Sequence, residues 1–402
     1  MEKLSILNAG QNYRLVGGSD RYFMDLEALL KKNGHDVVPF AANHSDNVQT
    51  DWKIFFPKAN NFNNPDFSDV INFIYSKPAQ RSLRNLLKEN QFDLAHLHIY
   101  YGQLTGSILK ALEEYNIPIV QTLHEYKLVC PVYSLYRNES ICDLCKDGKF
   151  YHGLIHRCNR NSISRSALSI LESYVSRYVG AISKINKFIC VSNYQRSLIE
   201  NMGIPSNKLL TVHNFVRAEL FRKAEGQGKY VLYFGRLEKI KGIFTLLEAA
   251  TKLPRIRFVI VGHGTDAKLF ESFIVDRSIK NVDFFGFKSG EELEIIIANC
   301  RFSILPTEWP ETFGLTVLET FMKGRPVVAS RIGGVQEVID EGIDGCFFEA
   351  GNVDGLCNSI ESLWMNPDNC MEMGRQGQIK ALTTFGPDTH YENLMKVYSS
   401  VL

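Results

Sequence analysis

The chain has 402 residues, with 45 Lys plus Arg against 44 Asp plus Glu and a formal net charge of +1, a balance that excludes a global attraction to nucleic acid or membrane and leaves only local patches. A hydrophobic fraction of 45% with 22% charged residues excludes intrinsic disorder, and nine cysteines are too sparse for a disulfide scaffold. The opening Met1-Glu2-Lys3-Leu4 soon meets polar Asn8, Gly10, Gln11 and Asn12, and no 18-residue charge-free apolar span follows, so a cytoplasmic protein without a secretion signal or membrane span is expected.

Leu4 to Leu7 read as a strand, followed by a loop from Asn8 to Gly18. Tyr22, Phe23, Leu26, Leu29 and Leu30 then fall on one helical face, and Asn33-Gly34 supplies a stop before a strand at Val37-Val38. Apolar runs at Leu94–His98, Ile119–Leu123 and Phe188–Val191 repeat the alternation, which indicates a parallel sheet with helices on its faces. Residues 217–228 are charged, contain two glycines and read as a linker. The alternation restarts at Tyr230–Phe234, Phe258–Val261, Val282–Phe285, Phe302–Leu305 and Val327–Ala329. The pattern predicts an α/β protein of two doubly wound, Rossmann-like domains, with ligands in a cleft outside the strand C-terminal ends. We place the first domain at 1–220 with a cysteine-rich insertion at about 130–158, the second at 221–386, and a final helix at 387–402.

Two clusters in the second domain carry chemistry. Gly235-Arg236-Leu237-Glu238-Lys239-Ile240-Lys241-Gly242 follows a strand directly, so a guanidinium fork and an ammonium stand at one strand exit and can neutralise a diphosphate. Alone, the pair reads better as two solvated surface cations. The second cluster is Pro306-Thr307-Glu308-Trp309-Pro310-Glu311-Thr312-Phe313-Gly314-Leu315-Thr316-Val317-Leu318-Glu319. A helix starting near Gly314 would offer the free N–H groups around Phe313 to Thr316 to an anion, while Glu311 and Glu319 suit sugar or ribose hydroxyls.

Arg236 and Lys241 followed by the Glu311-x7-Glu319 pair resemble the retaining family-four glycosyltransferases (glycosyl transferases group 1), which have the GT-B fold. The similarity extends to Gly17-Gly18-Ser19-Asp20-Arg21, Thr122-Leu123-His124-Glu125, Val212-His213-Asn214-Phe215-Val216, Val261-Gly262-His263-Gly264 and Ile332-Gly333-Gly334-Val335-Gln336-Glu337. The resemblance implies that Arg236 and Lys241 hold the diphosphate of a nucleoside-diphosphate sugar and offset charge on the leaving group. It implies that Glu319 takes the ribose hydroxyls, and that Glu311 with the backbone from Thr312 through Phe313, Gly314 and Leu315 meets the transferred sugar. Gly17 and Gly18 let backbone approach the phosphates, Gly262 joins the donor site, and His124 reaches the sugar near the reacting carbon. It further implies same-face transfer without a protein nucleophile, closure of the domains around the donor, and a last helix returning to the first domain. The acceptor implied is a glycan or lipid-linked molecule in surface polysaccharide, lipopolysaccharide or glycolipid biosynthesis. No Asp-x-Asp motif suggests a catalytic metal, so no cofactor is expected for catalysis.

Three features of the first domain are separate from this resemblance. His96 and His98 alternate on a strand and read as structural, with His98 a secondary candidate for the cleft. Cys130-x11-Cys142-x2-Cys145-x12-Cys158 has spacing that can close a tetrahedral thiolate site for structural zinc; four reduced thiols in a loop insertion are the alternative. Residues 149–187 carry Lys149, Arg157, Arg160, Arg165, Arg177, Lys184 and Lys187 against one acid, Glu172. Leu168, Leu171, Val175, Tyr178, Val179 and Ile182 there are expected to face the core, with the basic face either solvated or set against anionic lipid at the inner membrane face. Phe287 and Lys288 are weak candidates for contacts to the donor base. The rival functions are a GT-B phosphorylase or epimerase and a non-catalytic sugar-nucleotide-binding assembly subunit. A paired-carboxylate hydrolase leaves Arg236 and Lys241 unexplained.

Overall fold

In the computed structural model, which describes residues 3–138, 140–217, 219, 221 and 226–402, the chain divides into two compact units, Met1–Val212 with Tyr391–Leu402 and His213–His390. The division falls before the charged stretch 217–228, and residues 218, 220 and 222–225 of that expected linker lie outside the described residues.

The first unit holds β1 (Ser5–Ala9), β2 (Asp36–Phe40), β3 (Leu94–Leu97), β4 (Ile119–Leu123), β7 (Lys187–Cys190) and β8 (Leu209–Thr211), all parallel, in the order β2-β1-β3-β4-β7-β8. A short antiparallel ribbon, β5 (Tyr136–Arg137) with β6 (Ser140–Ile141), interrupts the alternation. Its helices are α1 (Gly18–Lys32), α2 (Phe67–Ile74), α3 (Lys77–Glu89), α4 (Ser107–Glu114), α5 (His152–Ile155), α6 (Ile163–Tyr178) and α7 (Asn193–Asn201). The helical face read from the sequence is the one α1 buries: Tyr22, Phe23, Leu26, Leu29 and Leu30 are all in the core.

The second unit holds β9 (Val231–Phe234), β10 (Phe258–Val261), β11 (Val282–Gly286), β12 (Phe302–Leu305), β13 (Val327–Ser330) and β14 (Gly345–Phe348), in the order β11-β10-β9-β12-β13-β14. Its helices are α8 (Ile243–Lys252), α9 (Ala267–Asp276), α10 (Gly290–Asn299), α11 (Leu315–Phe321), α12 (Val353–Met365) and α13 (Pro367–Thr383), followed by α14 (Pro387–Ser399). Its strands are near-continuous apolar runs because both faces of the sheet are covered. The period of two sorts them: Val231, Tyr233, Phe258 and Ile260 pack with Leu246, Leu247, Leu356 and Ile360 on one face. Leu232, Phe234, Val259 and Val261 pack with Ile296 and Ile297 on the other.

In both sheets the strand order reverses at one place, between β1 and β3 in the first unit and between β9 and β12 in the second. Such a switch point leaves a crevice at the strand C-terminal ends, where α/β sheets take ligands. From Tyr391 onward α14 belongs to the first unit, where the Tyr391 hydroxyl lies 2.8 Å from His35 Nε2 and the Tyr398 hydroxyl 2.7 Å from His96 Nδ1.

Helix α6 departs from its expected orientation. Ser166, Ser169, Glu172, Ser173 and Ser176 face inward, while Ile163, Leu171, Tyr174 and Tyr178 are exposed. The reason is a buried charge: Glu172, the one acid of the stretch, pairs with Lys127 Nζ at 2.6 Å, and the serines hydrogen-bond around it. Burying a charge demands a partner, and with this one inside, Leu171 and Tyr178 of the expected core face are exposed, while Leu168, Val175, Val179 and Ile182 are half-buried and Ile170 is buried.

One glycine fixes the approach of two loops. Gly242 ends the turn after β9 in a left-handed conformation (φ 68°), and a Cβ there would lie 1.7 Å from the Pro306 carbonyl oxygen at the end of β12. Gly242→Ala should therefore cost more than about 1 kcal/mol of stability; an unchanged urea midpoint would show that the loops can separate freely.

Candidate active site

The loops leaving β9 and β12, on either side of the second unit's switch point, carry Arg236, Lys241, Trp309 and Glu311. Lys241 is 7% exposed. Its Nζ lies 2.6 Å from Glu311 Oε1 and 4.4 Å from the centre of the Trp309 ring. An ammonium so nearly removed from water needs a countercharge, and Glu311 with the indole face supplies it. Arg236 is the opposite case: half-exposed, with Nη1 3.1 Å from Glu238 Oε1, it can leave that contact at little cost.

Backbone contacts hold the two loops together. Glu308 N–H donates to the Ile240 carbonyl (3.0 Å), Thr307 Oγ1 donates to the Trp309 carbonyl (3.0 Å), and Thr245 Oγ1 donates to Glu308 Oε1 (2.7 Å). Glu311 is fixed from its far side by the turn after β13. Gly334 N–H donates to the Glu311 carbonyl (2.7 Å), and Gly333, at φ 73°, would place a Cβ 2.5 Å from the same oxygen. The sequence singled out this glycine pair without giving it a role, and it did not single out Trp309. An aromatic two residues before the key carboxylate was the available signal.

Glu319 lies partly exposed on α11, with Thr312 and Phe313 buried just before the helix. The helix α11 runs seven residues, Leu315–Phe321, behind a left-handed Gly314. Gly262 follows β10 and donates its N–H to the Gly286 carbonyl (2.9 Å). Phe287 is exposed with its ring edge-on to His263, and Lys288 pairs with Glu292.

In the first unit, Gly17 is the N-cap of α1 and donates its N–H to Asp20 Oδ2 (3.0 Å), with Gly18 opening the helix. Its backbone is extended and a Cβ would meet nothing within 4 Å, so the fold itself does not require glycine at 17.

His124 follows β4 and joins a stack with His98 and His96, the rings inclined by 18° and 17°. A chain of hydrogen bonds sets the tautomers. Asn8 donates its amide N–H to the Phe23 carbonyl, leaving Oδ1 to accept from His98 Nε2 (2.8 Å). His98 Nδ1 is then the acceptor, so His124 Nε2 donates to it (3.1 Å). His98 thus positions His124 and is itself buried. The sequence marked His98 only as a secondary candidate because a strand pattern does not show which ring nitrogens meet.

Cys130, Cys142, Cys145 and Cys158 line one cavity of the first unit. All four are free thiols. Among the described residues no three His, Cys, Asp or Glu side chains converge closely enough to hold an ion, so the expected tetrahedral site is not formed in this arrangement.

Residues 16–220 match the family described as Glycosyltransferase Family 4, and residues 217–380 match Glycosyl transferases group 1. The first match spans half of the chain, which therefore belongs to glycosyltransferase family 4. Among relatives, the chain is 29% identical to a glycogen synthase of Mycobacterium tuberculosis over 96% of this chain and 91% of that one. It is 26% identical to the O-antigen chain mannosyltransferase C of Escherichia coli over 47% of this chain and 51% of that one. A solved structure of Anabaena HepE in complex with UDP and glucose matches 99% of this chain and 100% of its own with a TM-score of 0.68 at 17% identity. Two Rossmann-like units of this kind are the GT-B glycosyltransferase fold.

Three buried histidines give the fold a pH signature. Desolvation lowers His124 to about 3, His390 to about 4 and His98 well below its ordinary 6.5. The unfolded chain binds these protons near 6.5 and the folded chain only at the lowered values. Stability is thus full above about 6.5 and falls as pH drops toward 4, by up to ~1.4 kcal/mol per pH unit for each histidine. Urea midpoints should decline between pH 6.5 and 5; a flat profile there would contradict neutral burial.

Proposed function

We propose that this glycosyltransferase moves a sugar from a nucleoside-diphosphate sugar to a glycan or lipid-linked acceptor with retention of anomeric configuration. The observation that carries the reading is the Lys241–Glu311 pair at the switch point between β9 and β12, with Arg236 at the same strand exit. On this reading the diphosphate takes Lys241 and Arg236, and the sugar hydroxyls take Glu311. Negative charge develops on phosphate oxygen as the anomeric bond breaks, and fixed cations stabilise it most where water is excluded. Glu319 accepts from ribose hydroxyls, Gly262 and the backbone from Thr312 to Leu315 line the donor, and Gly17 and Gly18 offer open backbone to phosphate. His124, locked neutral, serves as a hydrogen-bonding group rather than a cation. The UDP and glucose of the HepE complex support a nucleotide sugar as donor.

The acceptor reading is a surface polysaccharide or glycolipid, supported by the likeness to an O-antigen mannosyltransferase and by the surface of the first unit. Helices α2 and α6 pack together, and both expose apolar side chains, with Phe67 81% and Tyr178 92% exposed. Ile155 on α5 and Ile163 on α6 are also exposed, beside exposed Arg160 and Arg165. Arg177 is spoken for, since its guanidinium lies over the Phe150 ring at 5.1 Å. Apolar side chains rimmed by arginines suit the interface of an anionic bilayer. Among the described residues no helix is long and apolar enough to cross a membrane.

Three experiments check these readings. A thermal-shift screen against UDP, GDP, ADP and dTDP should pick out one base. Incubation of the matching α-linked sugar donor with candidate glycan and lipid acceptors should then give an α-linked product by NMR. A β-linked product, or turnover that needs only inorganic phosphate, would contradict retaining transfer. Flotation with phosphatidylglycerol vesicles should fall by an order of magnitude or more in Arg160→Glu/Arg165→Glu, at ~1 kcal/mol per basic residue removed; unchanged flotation would remove the membrane from the account.

A further inference from the structure

The segment from Tyr126 to Ser162 begins two residues after His124 and is anchored by a few buried side chains, Tyr126, Val129, Leu135 and Phe150 among them, with little regular structure between them. Its regular structure among the described residues is the ribbon β5–β6, the four-residue α5 and a single 3-10 turn at Lys146–Gly148. Tyr133, Leu135, Asn138, Asp147, Arg157, Arg160 and Asn161 all adopt positive φ, a conformation costly for side-chain-bearing residues. A loop-rich segment of this length without its own layered core needs a staple.

Its four cysteines supply the material. Cys130 lies before the ribbon, Cys142 directly after it, Cys145 at the start of the 3-10 turn and Cys158 after α5, and all four line a single cavity of about 30 Å³. The chain curls so that the N–H groups of Val132 and Leu135 donate to the Cys130 sulfur, and that of Gly153 donates to the Cys145 sulfur. Backbone N–H groups placed this way support a metal-bound sulfur from its outer side, while burial keeps the metal-free thiols protonated, with Cys130 pushed up to about 11 and Cys145 up to about 12. Arg137 lines the same cavity and offers a countercharge. The thiols stand apart from one another as cavity walls, so binding must draw their sulfurs inward.

We infer that this insertion binds one zinc ion through Cys130, Cys142, Cys145 and Cys158, with four S–H protons released to solvent for each ion bound. The set is all sulfur and closed, which suits a structural rather than a catalytic metal, and tetrahedral thiolate coordination selects zinc among the common divalent ions. The ion would pin the segment that follows His124 without entering the reaction.

The test uses the full chain purified under reducing conditions without chelator. Metal analysis should find about one zinc per chain, and titration with a mercurial should release it quantitatively to a chromogenic chelator. Cys145→Ser should lose at least most of that zinc. Should this variant fail to fold, exchange of cobalt into the wild-type chain gives the second readout, a sulfur-to-cobalt charge-transfer band with tetrahedral visible absorption. Less than about half an equivalent of zinc together with no cobalt band would overturn the proposal. Iron with acid-labile sulfide would overturn it too, as would a mass four hydrogens below the reduced chain, the mark of two disulfides.

Discussion

A lysine ammonium held almost out of water beside a glutamate is the constraint around which the second unit is arranged. Lys241 reaches Glu311 because the loops after β9 and β12 run against each other, and they do so because Gly242 lacks the side chain that would strike the Pro306 carbonyl. The Glu311 backbone is in turn seated on the Gly333-Gly334 turn. A buried pair contributes little net stability, since desolvation offsets much of the attraction. Its value lies in placement: a cation and an acceptor are fixed where the sheet order reverses, before any ligand arrives. Such preorganisation is what transfer from a diphosphate requires.

The first unit solves a different problem with the same economy of means. Burial lowers the His98 and His124 rings well below their ordinary 6.5, and the orientation of one amide, Asn8, determines which nitrogen of each of these two rings donates. Glu172 shows the opposite strategy. Keeping that carboxylate inside required Lys127 and a serine-lined helix face. Leu171, Tyr174 and Tyr178 of α6 are left at the surface opposite that buried pair.

Much of this was legible in the sequence. Five strands of the second sheet, the α1 face and the placing of Arg236 and Lys241 at one strand exit and Glu311 in the loop after another follow from apolar periodicity and from charges placed at strand exits. The edge strands β8 and β14 did not emerge, being three and four residues long with no alternation to mark them. The orientation of α6 was only partly legible because helical spacing reports which residues share a face and not which face is inside; buried Glu172 rotates Leu171 and Tyr178 out while Leu168, Val175 and Val179 stay half-buried. Trp309 and the histidine tautomers depend on contacts between residues distant in sequence. The four cysteines were visible as spacing, while the hydrogen bonds to their sulfurs are a property of the folded loop.

The most direct test of the central claim is the rate of sugar transfer by Lys241→Ala at saturating donor, with Arg236→Ala measured beside it and folding of both verified by circular dichroism. Arg236 is half-exposed, so its loss should leave the fold untouched. If these cations hold the diphosphate and stabilise its departure, the lysine variant should lose ~10²–10³ in rate and the arginine variant a comparable share. Full transfer by a folded Lys241→Ala chain would contradict the account.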